Sequence, residues 1–225
     1  MRATSTDAAV VFDMDGVIVD SEPLWMRARQ SLVDAAGGHW VPEAATAMMG
    51  VSSAEWSTYM RDRLGIPMTA DEIRDDVVGR MAALYRQSLP LLPGAVRAVQ
   101  QIAHWWPVGI ASGSVRVLVD AVLESSGLDR YVTATVSSDE VAAGKPSPLV
   151  YLEVCRRLHA EPTASVAIED SGNGIRSALA AGMSVVAIPR PGFEPEADVL
   201  QRATAVLPDL TRLDVHVITQ LLAQP

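Results

Sequence analysis

Cysteine is nearly absent from this chain. Cys155 is the only one in 225 residues, which excludes a disulfide framework. It falls in "LVYLEVCRRLHA", in line with Tyr151 and Leu158 at helical spacing, and reads as a buried thiol on a helix face rather than a nucleophile. Histidine is scarce too: His39, His104, His159 and His216 are scattered, without the spacing of a zinc site. Positive charge is in deficit, with 18 Lys and Arg against 27 Asp and Glu and a net charge of −9. That sign argues against nucleic acid and anionic membranes as partners, because phosphate contacts dominate such affinities. An anionic substrate would need a local cationic site. No apolar run is long enough to span a bilayer, and the opening "MRATSTDAAVV" lacks the charged-then-apolar order of a secretory signal. The expectation is a soluble cytoplasmic protein, a monomer, with a small molecule as its partner.

What is present is enough for one full core, or a core with a small accessory domain, at 49% hydrophobic and 20% charged. From residue 107 onward short apolar runs recur: "PVGIAS", "YVTATVS", "SVAIED", "SVVAIP" and "TAVLP". Helical patterns separate them. "GAVRAVQQIAHW" puts Val96, Val99, Ile102 and Ala103 on one face. "SVRVLVDAVLESSGL" is predicted to open on Ser114 as N-cap and close at Gly127. "SPLVYLEVCRRL" offers Ser147 as cap with Pro148 at the first helical position, and "GIRSALAAG" ends on Gly182. Strands alternating with helices imply βαβ units and a Rossmann-like, doubly wound parallel sheet.

Residues 21–88 read as helix after helix. Leu24, Ala28, Leu32 and Ala36 make one stripe. Ser52 and Glu55 form an expected capping box before Trp56, Tyr59, Met60 and Leu64, with Gly65 as the stop. Thr69 and Glu72 repeat the device before Ile73, Val77, Met81 and Leu84. The expected organisation is an α/β catalytic core of residues 1–20 and 89–225, interrupted by a helical bundle over 21–88. "VDSEP" and "SLPLLPG" would be its hinges.

The chemistry gathers at predicted strand ends. In "VVFDMDGVIVDSEPLW" the run Val10–Phe12 reads as a buried strand, and Asp13 and Asp15 follow it directly. Two residues apart on an extended chain, they project to the same side. "GIASGS" sets Ser112 and Gly113 at the end of a second strand, "GKPSP" places Lys145 in a tight loop before a helix, and "AIEDSGNG" ends a strand with Glu169 and Asp170. In an open parallel sheet these groups converge at the carboxyl edge. Asp13, Asp15, Glu169 and Asp170 supply the candidate metal set. Asp13 and Asp170 would bind together with a backbone carbonyl, and Glu169 directly or through water. Oxygen ligands alone favour magnesium over zinc. "GNGIRS" imitates part of a dinucleotide fingerprint, but Ser177 stands where the third glycine belongs, and the pattern sits in a late βα unit. A dinucleotide role is rejected.

Taken in this order the residues resemble the four motifs of the haloacid dehalogenase-like superfamily. D-x-D-G follows the first strand, Ser closes the second, Lys precedes a helix, and E-D closes the fourth. The resemblance spans nearly the whole chain, and the helical insert looks like that family's cap domain. "DMDGVIVDSEPLW" and "GKPSP" are similar to signatures of the branch holding sugar-phosphate phosphatases and β-phosphoglucomutase. The resemblance implies Asp13 as nucleophile, forming an aspartyl-phosphate. It implies Asp15 as the group that protonates the leaving alkoxide and then takes a proton from water, work worth roughly 10² to 10⁴ in rate. Lys145 would add a fixed cation, Ser112 and Gly113 would orient phosphoryl oxygens, and magnesium would be the cofactor.

Departures from the mutase pattern point to a phosphatase. A histidine of β-phosphoglucomutase lies ten residues after the second aspartate, where this chain has Trp25. In its G-V-S-R loop the arginine gives way to Ser53 within "MGVSSAEW". That arginine would clamp a second phosphate. Dehalogenases lack the second aspartate, which Asp15 supplies here. Of Trp25, Trp40 and Trp56, Trp25 follows the hinge closely enough to border substrate, and with Ser52 and Ser53 it makes the candidate specificity set of the cap. The expected activity is hydrolysis of a small phosphorylated metabolite: a sugar or sugar-alcohol phosphate, or phosphoglycolate. A phosphosugar mutase is the alternative, and a non-catalytic phosphosugar-binding module a remote one.

Overall fold

The computed structural model describes residues 7–48 and 53–223. The chain divides into two compact units, Met1–Asp20 with Leu89–Pro225, and Ser21–Ser88. The first begins with β1 (Val10–Phe12), all three residues fully buried.

The unit Ser21–Ser88 is helical: α1 (Glu22–Ala36), α2 (Ala44–Ala47), α3 (Ser53–Leu64) and α4 (Ala70–Gln87). α1 carries a proline in its first turn and stops at Gly37 in the left-handed region. α4 opens on the Thr69–Glu72 capping box, with Thr69 Oγ1 accepting from Glu72 N–H at 3.2 Å and Thr69 N–H donating to Glu72 Oε2 at 2.8 Å. α1 and α3 both pack on α4, burying Leu32, Val33, Trp56, Met60, Ile73, Val77 and Met81. Each such side chain contributes about 1.5–3 kcal/mol by leaving water. Ser52, and with it the expected box to Glu55, lies outside the described residues.

The α/β unit continues with α5 (Ala95–Ala103), β2 (Val108–Ala111), α6 (Arg116–Ser126), β3 (Ala134–Val136), α7 (Leu149–Leu158), β4 (Val166–Glu169), α8 (Gly172–Ala180), β5 (Ser184–Ala187), α9 (Ala197–Leu200), β6 (Ala205–Val206) and α10 (Val215–Leu222). The strands form one parallel sheet in the order β3-β2-β1-β4-β5-β6. The chain winds outward from β1 to β3, then returns to lay β4 on the other side of β1. That reversal is the topological switch point, and the crevice beyond the carboxyl ends of β1 and β4 is where such sheets bind ligands.

Both faces of the strands are covered, which is why their sequences do not alternate. Ala9, Val11, Ala111, Ala167 and Val185 share one buried cluster with Val150, Tyr151, Val154, Cys155 and Leu158 of α7. α5 packs on β2, and α10 on β4. Cys155 is buried as its spacing implied, and burial pushes its thiol up to about 11. Among the described residues no helix is long and apolar enough to cross a membrane.

Two expected caps are corrected. α6 closes on Gly127 as anticipated, but its N-cap is Val115, and Ser114 makes no capping bond. α7 starts one residue late, after Pro148 as N-cap. Ser147 contributes its carbonyl instead, accepting from Ser177 Oγ at 2.6 Å.

Candidate active site

The residue after β1 remains part of the ladder. Asp13 N–H donates to Ile168 O at 2.9 Å, and Phe12 is in register with Ile168, so Asp13 stands level with Glu169 at the end of β4. Met14 is fully buried, and Asp13 and Asp15 flank it. The chain then turns tightly, with Gly16 N–H donating to Val19 O at 2.8 Å and Gly16 at φ +81°. Glycine is required there twice over: the left-handed backbone disfavours a side chain, and a Cβ would lie 1.8 Å from Asp170 Oδ2.

Lys145 bridges the two strand ends. Its Nζ lies 2.7 Å from Asp13 Oδ1 and 2.6 Å from Glu169 Oε1, in a side chain only 9% exposed. Burial opposes its charge, but Asp13 and Glu169 outweigh that and hold the ammonium above the ordinary lysine range. One cation among three carboxylates leaves an excess of negative charge. Burial pushes the Asp13 carboxyl up to about 7, with repulsion from Glu169 and Asp15 adding to it and Lys145 offsetting. Burial, then Glu169 and Asp13, raise Asp170 well above the carboxylate range.

Asp15 has different partners. Its Oδ2 accepts from Ser114 Oγ at 2.7 Å and from Ser112 Oγ at 3.4 Å, while Ser112 Oγ accepts from Ser114 N–H at 3.0 Å. Ser112 itself extends β2, donating its N–H to Val136 O at 2.9 Å. A Cβ on Gly113 would meet nothing within 4 Å, so this turn borders open space.

Glu169 is fully buried and densely solvated by the protein. Oε1 accepts from Lys145 and from Tyr151 O–H at 2.9 Å; Oε2 accepts from Asp170 N–H at 3.1 Å, Ser171 N–H at 3.2 Å and Ser171 Oγ at 3.1 Å. Burial and the facing Glu169 carboxylate raise the Tyr151 phenol well above its usual value, so it is a donor. Gly174 makes room for this carboxylate, since a Cβ there would lie 1.8 Å from Glu169 Oε1. The second glycine of "GNG" is thus explained without a nucleotide. Ser171 caps α8 by accepting from Gly174 N–H, which leaves the acidic pair free of that task.

Asp13, Glu169 and Asp170 each offer an oxygen within 4.8 Å of the others, a group that could hold a metal ion. Asp170 Oδ1 is buried without a hydrogen-bond donor. An orphaned carboxylate oxygen in an acidic cluster fits a cation.

A family model described as haloacid dehalogenase-like hydrolase matches residues 8–182. The chain belongs to that family. Hexitol phosphatase B of Escherichia coli K12 is 33% identical over 189 residues, 81% of this chain and 84% of that protein. The crystal structure of CbbY from Rhodobacter sphaeroides in complex with phosphate superposes with a TM-score of 0.84 at 24% identity, over 95% of this chain and 99% of that one. A β-phosphoglucomutase from Clostridium difficile follows at TM-score 0.77 and 19% identity, over 95% and 96% of the two chains. The last two share the fold of this hydrolase.

Of the residues singled out in the sequence, Asp13, Asp15, Ser112, Lys145, Glu169 and Asp170 are joined by the contacts above, with Gly113 in the adjoining turn. Trp25 and Ser53 belong to the helical unit, and Ser52 lies outside the described residues. Trp25 meets Trp56 of its own unit at a tilt of 56°, with ring centroids 6.0 Å apart, and the Arg29 guanidinium is 5.1 Å from both rings. Two residues in contact with this cluster, Ser114 and Tyr151, escape the sequence pattern. Ser114 was expected to cap a helix, but it is Val117 that follows at the position where a capping box has Glu or Gln. Tyr151 was read as helix-face core; its hydroxyl, which a buried tyrosine must satisfy, was the signal.

Proposed function

We propose that this chain is a magnesium-dependent phosphatase that hydrolyses a small phosphorylated sugar or sugar alcohol through an aspartyl-phosphate at Asp13. The observation that carries the reading is the difference in partners between two carboxylates two residues apart. Asp13 is ion-paired to Lys145, and Asp15 is held by serine hydroxyls. A deprotonated Asp13 attacks phosphorus, the ester P–O bond breaks, and Asp15 gives its proton to the departing alkoxide. Water then attacks phosphorus, Asp15 takes its proton, and the P–O bond to Asp13 breaks to release inorganic phosphate. Ser112 and the Gly113 turn orient the phosphoryl oxygens, and Lys145 balances charge at Asp13. Magnesium, with Asp13 and Asp170 as its holders, supplies neutralisation between an anionic nucleophile and an anionic substrate.

The relative named for hexitol phosphatase activity supports the substrate class. The unit Ser21–Ser88 takes the part of the cap that chooses the leaving group, with Trp25, Ser52 and Ser53 as candidate selectors. The decisive assay is phosphate release from a panel of sugar phosphates, sugar-alcohol phosphates and phosphoglycolate, read as kcat/KM. A protein that hydrolyses neither these nor p-nitrophenyl phosphate in magnesium is no phosphatase. Given β-glucose 1-phosphate and a bisphosphate primer, it should release inorganic phosphate faster than it forms glucose 6-phosphate. The reverse order would make it a mutase and leave the aspartate roles standing.

Ser114 should matter to Asp15 in this scheme. Ser114→Ala removes the shorter of its two serine bonds and leaves Ser112. Loss of one such orienting bond should lower kcat by about 10-fold or more with a smaller change in KM. Unchanged kcat would mean that Ser114 does not position the acid–base group.

A further inference from the structure

We propose that Tyr151 is a positioning residue of this site: its phenol holds Glu169, and through Glu169 it fixes Lys145 against Asp13. The inference rests on the phosphatase reading for its catalytic consequence, and on geometry alone for the rest. An ionised carboxylate has about four acceptor positions. Glu169 receives five donors, from Lys145, Tyr151, Asp170 N–H, Ser171 N–H and Ser171 O–H. Protein donors therefore occupy both of its oxygens. Its work is to anchor others: Lys145 on one oxygen, and the backbone that presents Asp170 on the other.

Tyr151 is the only donor to Oε1 besides Lys145 among the described hydrogen bonds, and it touches both members of the pair. Its O–H is 2.9 Å from Glu169 Oε1, and its ring centroid is 5.1 Å from Lys145 Nζ. It cannot drift, being fully buried on α7 among Val150, Val154 and Cys155. Gly109 of β2 lets that helix approach closely, since a Cβ there would lie 2.7 Å from Val154 Cγ2. Without the hydroxyl, Oε1 keeps Lys145 as its one donor while Oε2 keeps three, so the end of the carboxylate that faces Lys145 is held less firmly. Lys145 then loses a fixed partner, and Asp13 loses part of the framework that aligns it.

Tyr151→Phe isolates the hydroxyl, because the ring, its packing and its face toward Lys145 are retained. The variant should fold with a thermal midpoint close to that of the parent. Outer partners of metal-site residues typically matter by about 10- to 100-fold in metal affinity or activity. We therefore expect Mg²⁺ alone, titrated calorimetrically, to bind about 10-fold more weakly, and kcat to fall by a similar factor. In a Glu169→Ala background the same substitution should change Mg²⁺ affinity by less than about twofold, because its intermediary is gone. Equal losses in both backgrounds, or Mg²⁺ affinity and kcat kept within about twofold in Tyr151→Phe, would overturn the inference. A parent that binds Mg²⁺ more tightly than Tyr151→Phe, yet hydrolyses no phosphate monoester, would uphold the positioning role and sink the phosphatase reading instead.

Discussion

Asp13→Asn should abolish turnover while leaving the fold intact. The amide has the size and shape of the carboxylate but is neutral, so it neither attacks phosphorus nor helps hold a cation. Loss of a nucleophile removes a covalent route rather than one contact among several, so kcat should drop by at least about 10⁴-fold. Stability should not suffer. Asp13 is 5% exposed, and burial has already pushed its carboxyl up to about 7, so the charge is held in an unfavourable place. Removing it relieves repulsion with Glu169 and Asp15, and Lys145 keeps Glu169 as its counter-ion. Kinetics on the purified variant, beside its thermal unfolding midpoint, separates the two effects. Near-normal kcat would show that the nucleophile is wrongly assigned, whereas lost activity with a collapsed fold would show that the carboxylate is structural.

Much of the molecule was legible because its devices are local. Val10–Phe12 reads as a buried strand since both faces of the sheet are covered, and Thr69 with Glu72 reads as a helix start since the box closes within four residues. The convergence of Asp13, Ser112 and Glu169 follows from strand ends meeting at one edge of a parallel sheet, with Lys145 brought to it by the loop before α7. What escaped was decided by contacts across the chain. Ser114 reads locally as a cap, but Val115 takes that place and the Ser114 hydroxyl answers the distant Asp15 carboxylate instead. Tyr151 lies on the apolar face that its spacing with Cys155 and Leu158 implies, but periodicity does not say where a phenol finds its acceptor. Arg29 is the clearest loss: no apolar pattern buries an arginine, yet it is 6% exposed between two tryptophans, with Nε unpartnered. Desolvation lowers its guanidinium to about 10. The glycines were half legible. That glycine follows D-x-D is plain in the sequence, but not that Gly16 and Gly174 are small because carboxylates occupy their side-chain space.

Removal of divalent metal should silence the enzyme, and the loss should depend on pH in a definite direction. Chelation leaves Asp13, Glu169 and Asp170 crowded around one lysine, so an anionic phosphate would meet an acidic site. Magnesium should restore turnover, and calcium in excess should inhibit. Calcium accepts six to eight oxygens at about 2.3–2.6 Å, against about 2.0–2.1 Å for magnesium, and so fills the site without aligning nucleophile and phosphoryl group. The raised carboxyls make metal and protons competitors. In the unfolded chain Asp13 titrates near 3.8, but in the metal-free fold burial moves it to about 7. The native state therefore holds a proton across that window that the unfolded chain has released. Stability of the metal-free protein should fall as pH rises from about 4 toward about 7, and level off above it. Metal binding must expel that proton at low pH and meets a free carboxylate at high pH, so magnesium affinity should strengthen over the same interval. Calorimetric unfolding in chelator and in magnesium at about pH 5.5 and about pH 8 measures both effects. The rise in midpoint on adding magnesium should be larger at the higher pH. An equal rise at both, or full activity in chelator, would remove the metal from Asp13 and Asp170.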